Sequence, residues 1–184
     1  MTGKGSLNHN SRKFHAKNTD PNRTHWNVEY CNEDIKDVYH ELFDDALKRY
    51  NDKQTRKDRK IDDYYEKIRS GKQEKLFHEV ILQIGDKDNM GSETMEGQLA
   101  AKILDEYMKG FQERNPTLRV FAAHLHLDEA TPHLHIDFIP YVTGSKRGLD
   151  TRVSLKQAIE VAKHLEQVNA KQKGKKRRID REGR

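Results

Sequence analysis

The chain is predicted to be an α+β protein: an antiparallel β-sheet with helices packed on one face and a metal site on the other. Three observations carry this. Segments with strand and helix periodicity follow in the order β, α, α, β, α, β, β, α, with too few residues between most strands for parallel crossovers. Two alternating runs, LRVFAAHLHL (118–127) and HLHIDFIPYV (133–142), are joined by DEATP, which reads as a hairpin with a five-residue loop. Within that hairpin the apolar residues take one parity and the histidines the other, so one face is core and the other polar.

The elements follow in order. THWNVEY (24–30) alternates, with Trp26, Val28 and Tyr30 on the core side, and reads as a half-buried strand. From Glu33 to Tyr50, Ile35, Val38, Tyr39, Leu42, Phe43, Ala46, Leu47 and Tyr50 recur at three and four, the stripe of an amphipathic helix. A charged helix is predicted over 58–69, ending near SGK. KLFHEVILQIG (75–85) is too rich in β-branched and apolar residues for a surface helix and reads as a central strand closed by Gly85. Met95, Leu99, Ile103, Tyr107 and Phe111 mark a further helix, stopped by Asn115-Pro116. After the hairpin, TGSKRGLDTR is a basic loop, and Ser154 with Gln157 forms a capping box for a last helix carrying Ala158, Ile159, Ala162 and Leu165.

At 184 residues one domain with an appended segment is expected. Apolar residues make up 33% against 35% charged, and the mean hydropathy is −1.09, which implies a very polar surface around a modest core. No run of 18 apolar residues and no signal-peptide core is present, so a cytoplasmic protein without a membrane segment is expected. The single cysteine, Cys31, forms no internal disulfide and no Cys-based zinc site, so any metal site draws on His, Asp and Glu. The net charge of +5 sits in the tail: residues 171–184 hold eight Lys or Arg and two acidic residues. Such a tail is either a solvated end or a phosphate-binding arm.

His133, His135 and Asp137 share one face of their strand, opposite Leu134, Ile136 and Phe138. On the preceding strand Phe121, Ala123, Leu125 and Leu127 join the apolar set, leaving His124 and His126 across from the other histidines. A lone histidine on a polar face is usually just solvated. Three or four crowded together, beside Asp128 and Glu129, gain nothing for stability and point to a metal. His126, His133 and His135 are the expected ligands, with His124 outside the shell. Glu129 either completes the shell or serves as base and orienter for a nucleophile, and Asp137 is placed to hold a ligand imidazole in its tautomer.

HLDEATPHLH resembles the His-hydrophobic-His motif of the HUH endonucleases, in the form found in plasmid mobilization and recombination proteins of the Mob/Pre type, the MobV relaxases. NHNSRKFHAKNTDPNRTHWNVEY resembles that family's first motif, His-Asn-x-Arg followed by an Asn-x-Asp-x-x-Arg-x-His-x-Asn stretch. The resemblance covers about residues 5–156. It implies a relaxase domain over 1–156, followed by a C-terminal helix and basic tail over 157–184. The implied enzyme is a strand-specific DNA endonuclease and transesterase that nicks one strand at a plasmid origin of transfer and remains joined to the 5′ phosphate, serving mobilization or recombination. It implies His9 as nucleophile, Glu129 beside it, and a divalent ion, Mn2+ or Mg2+, on His126, His133 and His135. Family members carry a strand before the first motif and continue into segments for dimerization or membrane association. A homodimer formed through a region missing here, or through the C-terminal part, is therefore an expectation.

Arg12, three residues after His9, is suited to fork onto a phosphate. Arg23, Lys146, Arg147 and Arg152 are candidates for a cationic groove for single-stranded or supercoiled plasmid DNA. His15, Tyr30 and Tyr141 are rival nucleophiles. The alternative function is a noncatalytic DNA-binding, autoregulatory protein of the same fold.

Overall fold

The computed structural model describes residues 6–14, 16–165 and 167. His15 and the basic tail 171–184 lie outside the described residues, as does most of the last segment beyond 165.

Strands β1 (Val28–Asn32), β2 (His78–Gln83), β3 (Leu118–His126) and β4 (His133–Val142) form an antiparallel sheet in the order β1-β3-β4-β2. A two-residue strand, β5 (Arg152–Val153), pairs with the end of β4. The β3–β4 hairpin is the centre of the molecule, with His126 opposite His133 and His124 opposite His135. Leu134, Ile136 and Phe138 turn with Ala123 and Leu125 into a core under α4 (Met95–Lys109) and α5 (Phe111–Arg114), joined by Ala158 of a helix spanning 155–165, here α6. Slipping the register by one residue would drive His133, His135 and Asp137 into that core. Each apolar side chain lost from it would cost about 1.5–3 kcal/mol, so the parity is strongly specified.

The parity is interrupted once. A bulge in β3 between Val120 and Ala122 places Phe121 and Ala122 consecutively on the histidine face. The reading that grouped Phe121 with Ala123 and Leu125 is corrected by this extra residue, which alternation alone does not reveal. Phe121, Ala122 and Ile139 then support a second core with Val38, Tyr39, Phe43 and Ala46 of α2 (Ile35–Asp52) and Tyr64 of α3 (Tyr64–Ser70). The histidine face is thereby divided into a polar end at the hairpin turn and an apolar end beneath α2 and α3.

Five other elements differ from expectation, the charged helix of 58–69 among them, which is a 3-10 turn at Lys57–Arg59 followed by α3 at Tyr64–Ser70. Residues 24–26 form a 3-10 turn rather than strand, and Trp26 and Val28 are largely exposed. β2 is an edge strand, pairing only with β4; its apolar run buries Val80 and Leu82 against the first core while Ile81 faces solvent. In α4 the stripe Met95, Leu99, Ile103 and Tyr107 is exposed, and the helix packs through Ala100, Ala101, Leu104 and Met108 instead. The small residues on that face let the helix sit close to the sheet. At α6 the expected capping glutamine is engaged elsewhere, Gln157 Oε1 accepting from Arg152 Nη2 at 2.8 Å.

Candidate metal and nucleophile site

The N-terminal segment forms a single helical turn, α1 (Leu7–Asn10), started by Ser6, whose carbonyl accepts from the amides of His9 and Asn10, both at 2.9 Å. Arg12 follows in the left-handed region with φ 51°, which turns the chain back so that its guanidinium meets the hairpin loop. The loop itself is tied down from outside. Asn27 Oδ1 accepts from the amides of Leu127 and Asp128 at 2.7 and 3.1 Å, and Ser92 Oγ donates to the Glu129 carbonyl at 3.0 Å.

Three imidazoles stand on the polar end of the sheet. Ring centroids of His126, His133 and His135 are 4.8–5.2 Å apart, and one nitrogen from each lies within 4.8 Å of the others. Each ring uses its other nitrogen on the protein. His126 Nε2 meets the Asn10 carbonyl at 2.8 Å, His133 Nδ1 the Thr131 carbonyl at 2.8 Å, and His135 Nδ1 Glu79 Oε1 at 2.6 Å. These partners accept, so the proton of each neutral ring is on the nitrogen that faces them and the opposite nitrogen carries a lone pair. Two of those opposite nitrogens, His126 Nδ1 and His135 Nε2, are buried without a hydrogen-bond partner. Burial holds His126 down to about 2 and lowers His133 as well, so both stay neutral and able to donate to a cation. Three imidazole nitrogens with their tautomers set from behind fit a divalent transition ion.

His9 lies beside this cluster, its ring 6.0 Å from His126 and 6.3 Å from His135. Its Nε2 is 3.4 Å from Glu129 Oε1 and 3.2 Å from Arg12 Nη1. His9, His126 and Glu129 form a second group within ligand reach, but the Arg12 guanidinium, with Nη2 only 2.8 Å from Glu129 Oε1, already supplies the positive charge there. A second cation beside it would be repelled. Glu129 therefore stands between the His9 ring and the triad, with His133 Nε2 3.8 Å away and Asn18 Nδ2 donating to it at 2.7 Å.

Arg12 spends its fork on protein rather than leaving it open for a phosphate: Nε and Nη2 bind Asp128 at 2.9 and 2.6 Å. Burial works against the Asp128 charge, but the two bonds from Arg12 outweigh it and hold the carboxyl at about 2. Arg23 is likewise engaged, Nη1 donating to the Leu127 and Glu129 carbonyls at 3.0 and 3.2 Å, so it clamps the loop. Arg152 bonds Ser145 and Gln157. It lies with Lys146 and Arg147 beyond Val142, at the opposite end of β4 from His133, about 30 Å away at roughly 3.3 Å per residue. Of the rival tyrosines, Tyr30 donates to Asp105 at 2.8 Å, and Tyr141 packs against the second core with its hydroxyl 3.2 Å from the Pro116 carbonyl.

His124 is absent from both ligand groups and meets Glu29 at 3.2 Å. The carboxylate behind His135 is Glu79, not Asp137; Asp137 instead accepts from Asn10 Nδ2 at 3.0 Å, and burial pushes its carboxyl up to about 7. Asp137 follows His135 on one strand, so the two side chains run parallel, whereas Glu79 reaches across from β2. The signal for Glu79 was present: a carboxylate within an apolar strand needs a partner. Asn10 and Asn27 fall within the two quoted motifs, but nothing there gave their partners, and Ser92 left no mark at all.

A hairpin presenting three imidazoles on an antiparallel sheet, with a fourth histidine on an N-terminal segment, defines an HUH-type domain of the relaxase kind. The family model described as plasmid recombination enzyme, Mob_Pre, matches residues 5–183, and the chain belongs to that family. Among solved structures, the chain is similar to the MobM relaxase domain (MOBV; Mob_Pre), bound to plasmid pMV158 oriT DNA in a Mn-bound crystal at pH 5.5. The identity is 28%, covering 82% of this chain and 67% of that one, with a TM-score of 0.49. A second Mn-bound crystal of that domain with the same DNA, at pH 4.6, gives 25% identity over 83% and 67% with a TM-score of 0.43. No curated protein matches the chain. No described helix is long and apolar enough to cross a membrane.

Proposed function

We propose that the chain is a divalent-metal-dependent relaxase that nicks one DNA strand at a plasmid origin of transfer and is left joined to the 5′ phosphate through His9. It would act in the cytoplasm on single-stranded or supercoiled plasmid DNA. The observation that supports this most is the position of His9, with Nε2 3.4 Å from Glu129 and its ring about 6 Å from two rings of the imidazole triad.

A cation is needed on electrostatic grounds. Glu79, Asp128 and Glu129 surround the triad and Arg12 offsets only one of them, so the bare site repels a phosphodiester. Mn2+ or Mg2+ on His126, His133 and His135 would reverse that and polarise the nonbridging oxygens.

The remaining chemistry belongs to the protein. A guanidinium only donates, so the contact of Arg12 Nη1 at 3.2 Å assigns the lone pair to His9 Nε2, and that bond must be released to the incoming phosphate before Nε2 can attack. Nε2 attacks phosphorus, the P–N bond forms as the P–O3′ bond breaks, and the proton that the phosphorylated ring sheds from Nδ1 balances, through solvent, the one that the leaving 3′ oxygen takes up. Glu129 Oε1, 3.4 Å from Nε2, is placed to orient the His9 ring and to accept a proton carried there, which frees the lone pair for attack. The phosphoramidate is higher in energy than the ester, so the released 3′ hydroxyl can reverse the reaction, as strand transfer and religation require. Phe14, half exposed with its ring 6.0 Å from His9, offers a surface on which a base next to the nick can stack.

The test is an oligonucleotide carrying the cognate nick site with a phosphorothiolate at the scissile bond, incubated with protein and Mn2+. Mass spectrometry should show one adduct, on the peptide containing His9, lost with EDTA and in His9→Ala. Specific binding that ignores EDTA, with no adduct formed, would identify the noncatalytic DNA-binding protein instead.

A further inference from the structure

Asn10 is 2% exposed, on a helix of four residues. A single turn has no stability of its own, so α1 keeps its place through what its side chains grip. Arg12 ties the segment to the hairpin loop. Asn10 ties it to the strands that carry the imidazoles: Nδ2 donates to Glu79 Oε1 at 2.8 Å and to Asp137 Oδ2 at 3.0 Å, and its carbonyl faces His126 Nε2 at 2.8 Å. The Glu79 oxygen that Asn10 binds is the one bound by His135 Nδ1 at 2.6 Å. The residue after His9 is thus bonded, on the side away from the cation position, to one imidazole directly and to a second through one carboxylate.

We infer that Asn10 is a positioning residue that makes the placement of His9 depend on the metal centre. This rests on the metal-dependent reading above and deepens it. A cation on His126 Nδ1 and His135 Nε2 stops both rings from turning and polarises their remaining N–H groups. The bonds to the Asn10 carbonyl and to Glu79 then strengthen, and α1 is held harder against the sheet. Without the cation the rings turn more freely and α1 loosens. The ion therefore orders the nucleophile as well as polarising the phosphate. Linkage requires the converse: loosening α1 weakens the ion by the same factor.

The test uses the full chain stripped with EDTA, dialysed, and titrated with MnCl2 in a calorimeter. Hydrogen exchange is then followed at the amides of His9, Asn10, Ser11 and Arg12, which bond to the carbonyls of Ser6, Leu7 and His9. In the wild type, Mn2+ should slow these amides several-fold. In Asn10→Ala, which removes the bonds to Glu79 and Asp137 but keeps the backbone carbonyl on His126, Mn2+ should bind about 10-fold more weakly and the slowing should shrink, with the Arg12–Asp128 anchor still present. Asn10→Ser, which keeps one donor, should restore part of the response, and it decides the question by the same criterion if the alanine variant does not fold. The coupling is overturned if Asn10→Ala responds to Mn2+ as the wild type does, or if a wild type that binds Mn2+ shows no slowing; the metal-dependent reading survives both results. A wild type that binds no Mn2+ in the calorimeter removes that reading and the coupling together.

Discussion

Arg12 grips Asp128 with two N–H···O bonds, Nε to Oδ2 at 2.9 Å and Nη2 to Oδ1 at 2.6 Å, with Asp128 fully enclosed. The pair holds Arg12 at φ 51°, a backbone conformation that costs a non-glycine residue about 1–3 kcal/mol. Asp128→Ala removes one of the two carboxylates that Arg12 pairs with, Glu129 Oε1 at 2.8 Å being the other, so the loss should lie at or below the about 3–5 kcal/mol of breaking a buried pair. Urea denaturation should show a loss of this size, and adduct formation should fall because Arg12 no longer holds Glu129 and His9. The pH dependence has a definite sign. The Asp128 carboxyl is held at about 2, below its ordinary 3.8, so its contribution is present above pH 4 and is lost as the pH falls towards 2. Stability curves of the wild type and the alanine variant should converge across that window.

Metal binding should be visible as stability before any DNA is added. A ligand at 100 times its dissociation constant adds about 2.7 kcal/mol. For a chain of this size that raises Tm by about 5–10 °C. The expected result is a Mn2+-dependent rise of that order in calorimetry, abolished by EDTA and absent in His126→Ala, His133→Ala and His135→Ala. His124→Ala should keep the rise, because His124 is bonded to Glu29 outside the triad. An unchanged Tm in the wild type over a millimolar range of Mn2+ would reject the site.

The triad was legible in the sequence because strand parity is a local rule: alternate side chains share a face, and HLH read on two adjacent strands gives the cluster. The hairpin and the helix order were legible for the same reason. What was hidden depends on partners distant in sequence. Nothing local tells that Arg12 is spent on Asp128, 116 residues away, or that Asn10 reaches Glu79 and Asp137. The bulge at Phe121 was hidden because Phe121 and Ala122 are both apolar, so the pattern does not register an inserted residue. The α4 stripe misled for a related reason: large apolar residues mark a helix face, but packing close to the sheet selected Ala100 and Ala101.

Lys146 and Arg147 lie about 30 Å from the triad along β4. A single strand that reaches both places must extend over several nucleotides beyond the scissile phosphate. Their contribution should then be to affinity and not to chemistry. The Lys146→Ala, Arg147→Ala double variant should bind a long origin oligonucleotide more weakly, with a log–log salt slope shallower by about 0.7 per lost single-strand phosphate contact. An oligonucleotide too short to span the distance should bind and react unchanged. A loss of adduct formation with the short substrate would place these two residues in the reacting centre.

The nucleophile can be decided among the described residues by elimination as well as by capture. Tyr30 is half-buried, its hydroxyl donating to Asp105 at 2.8 Å, and burial followed by that bond raises its phenol well above the ordinary value of 10.0, so it resists becoming the phenolate. Tyr141 shares the parity of the histidines, but it lies six residues from His135, about 20 Å at roughly 3.3 Å per residue, on the part of the face covered by α2 and α3. Tyr30→Phe and Tyr141→Phe should therefore form the adduct at wild-type rate, whereas His9→Ala should form none while still binding Mn2+, because its ring is no part of the triad. A quantitative adduct in His9→Ala would reject the assignment and turn attention to His15, six residues further along the same segment.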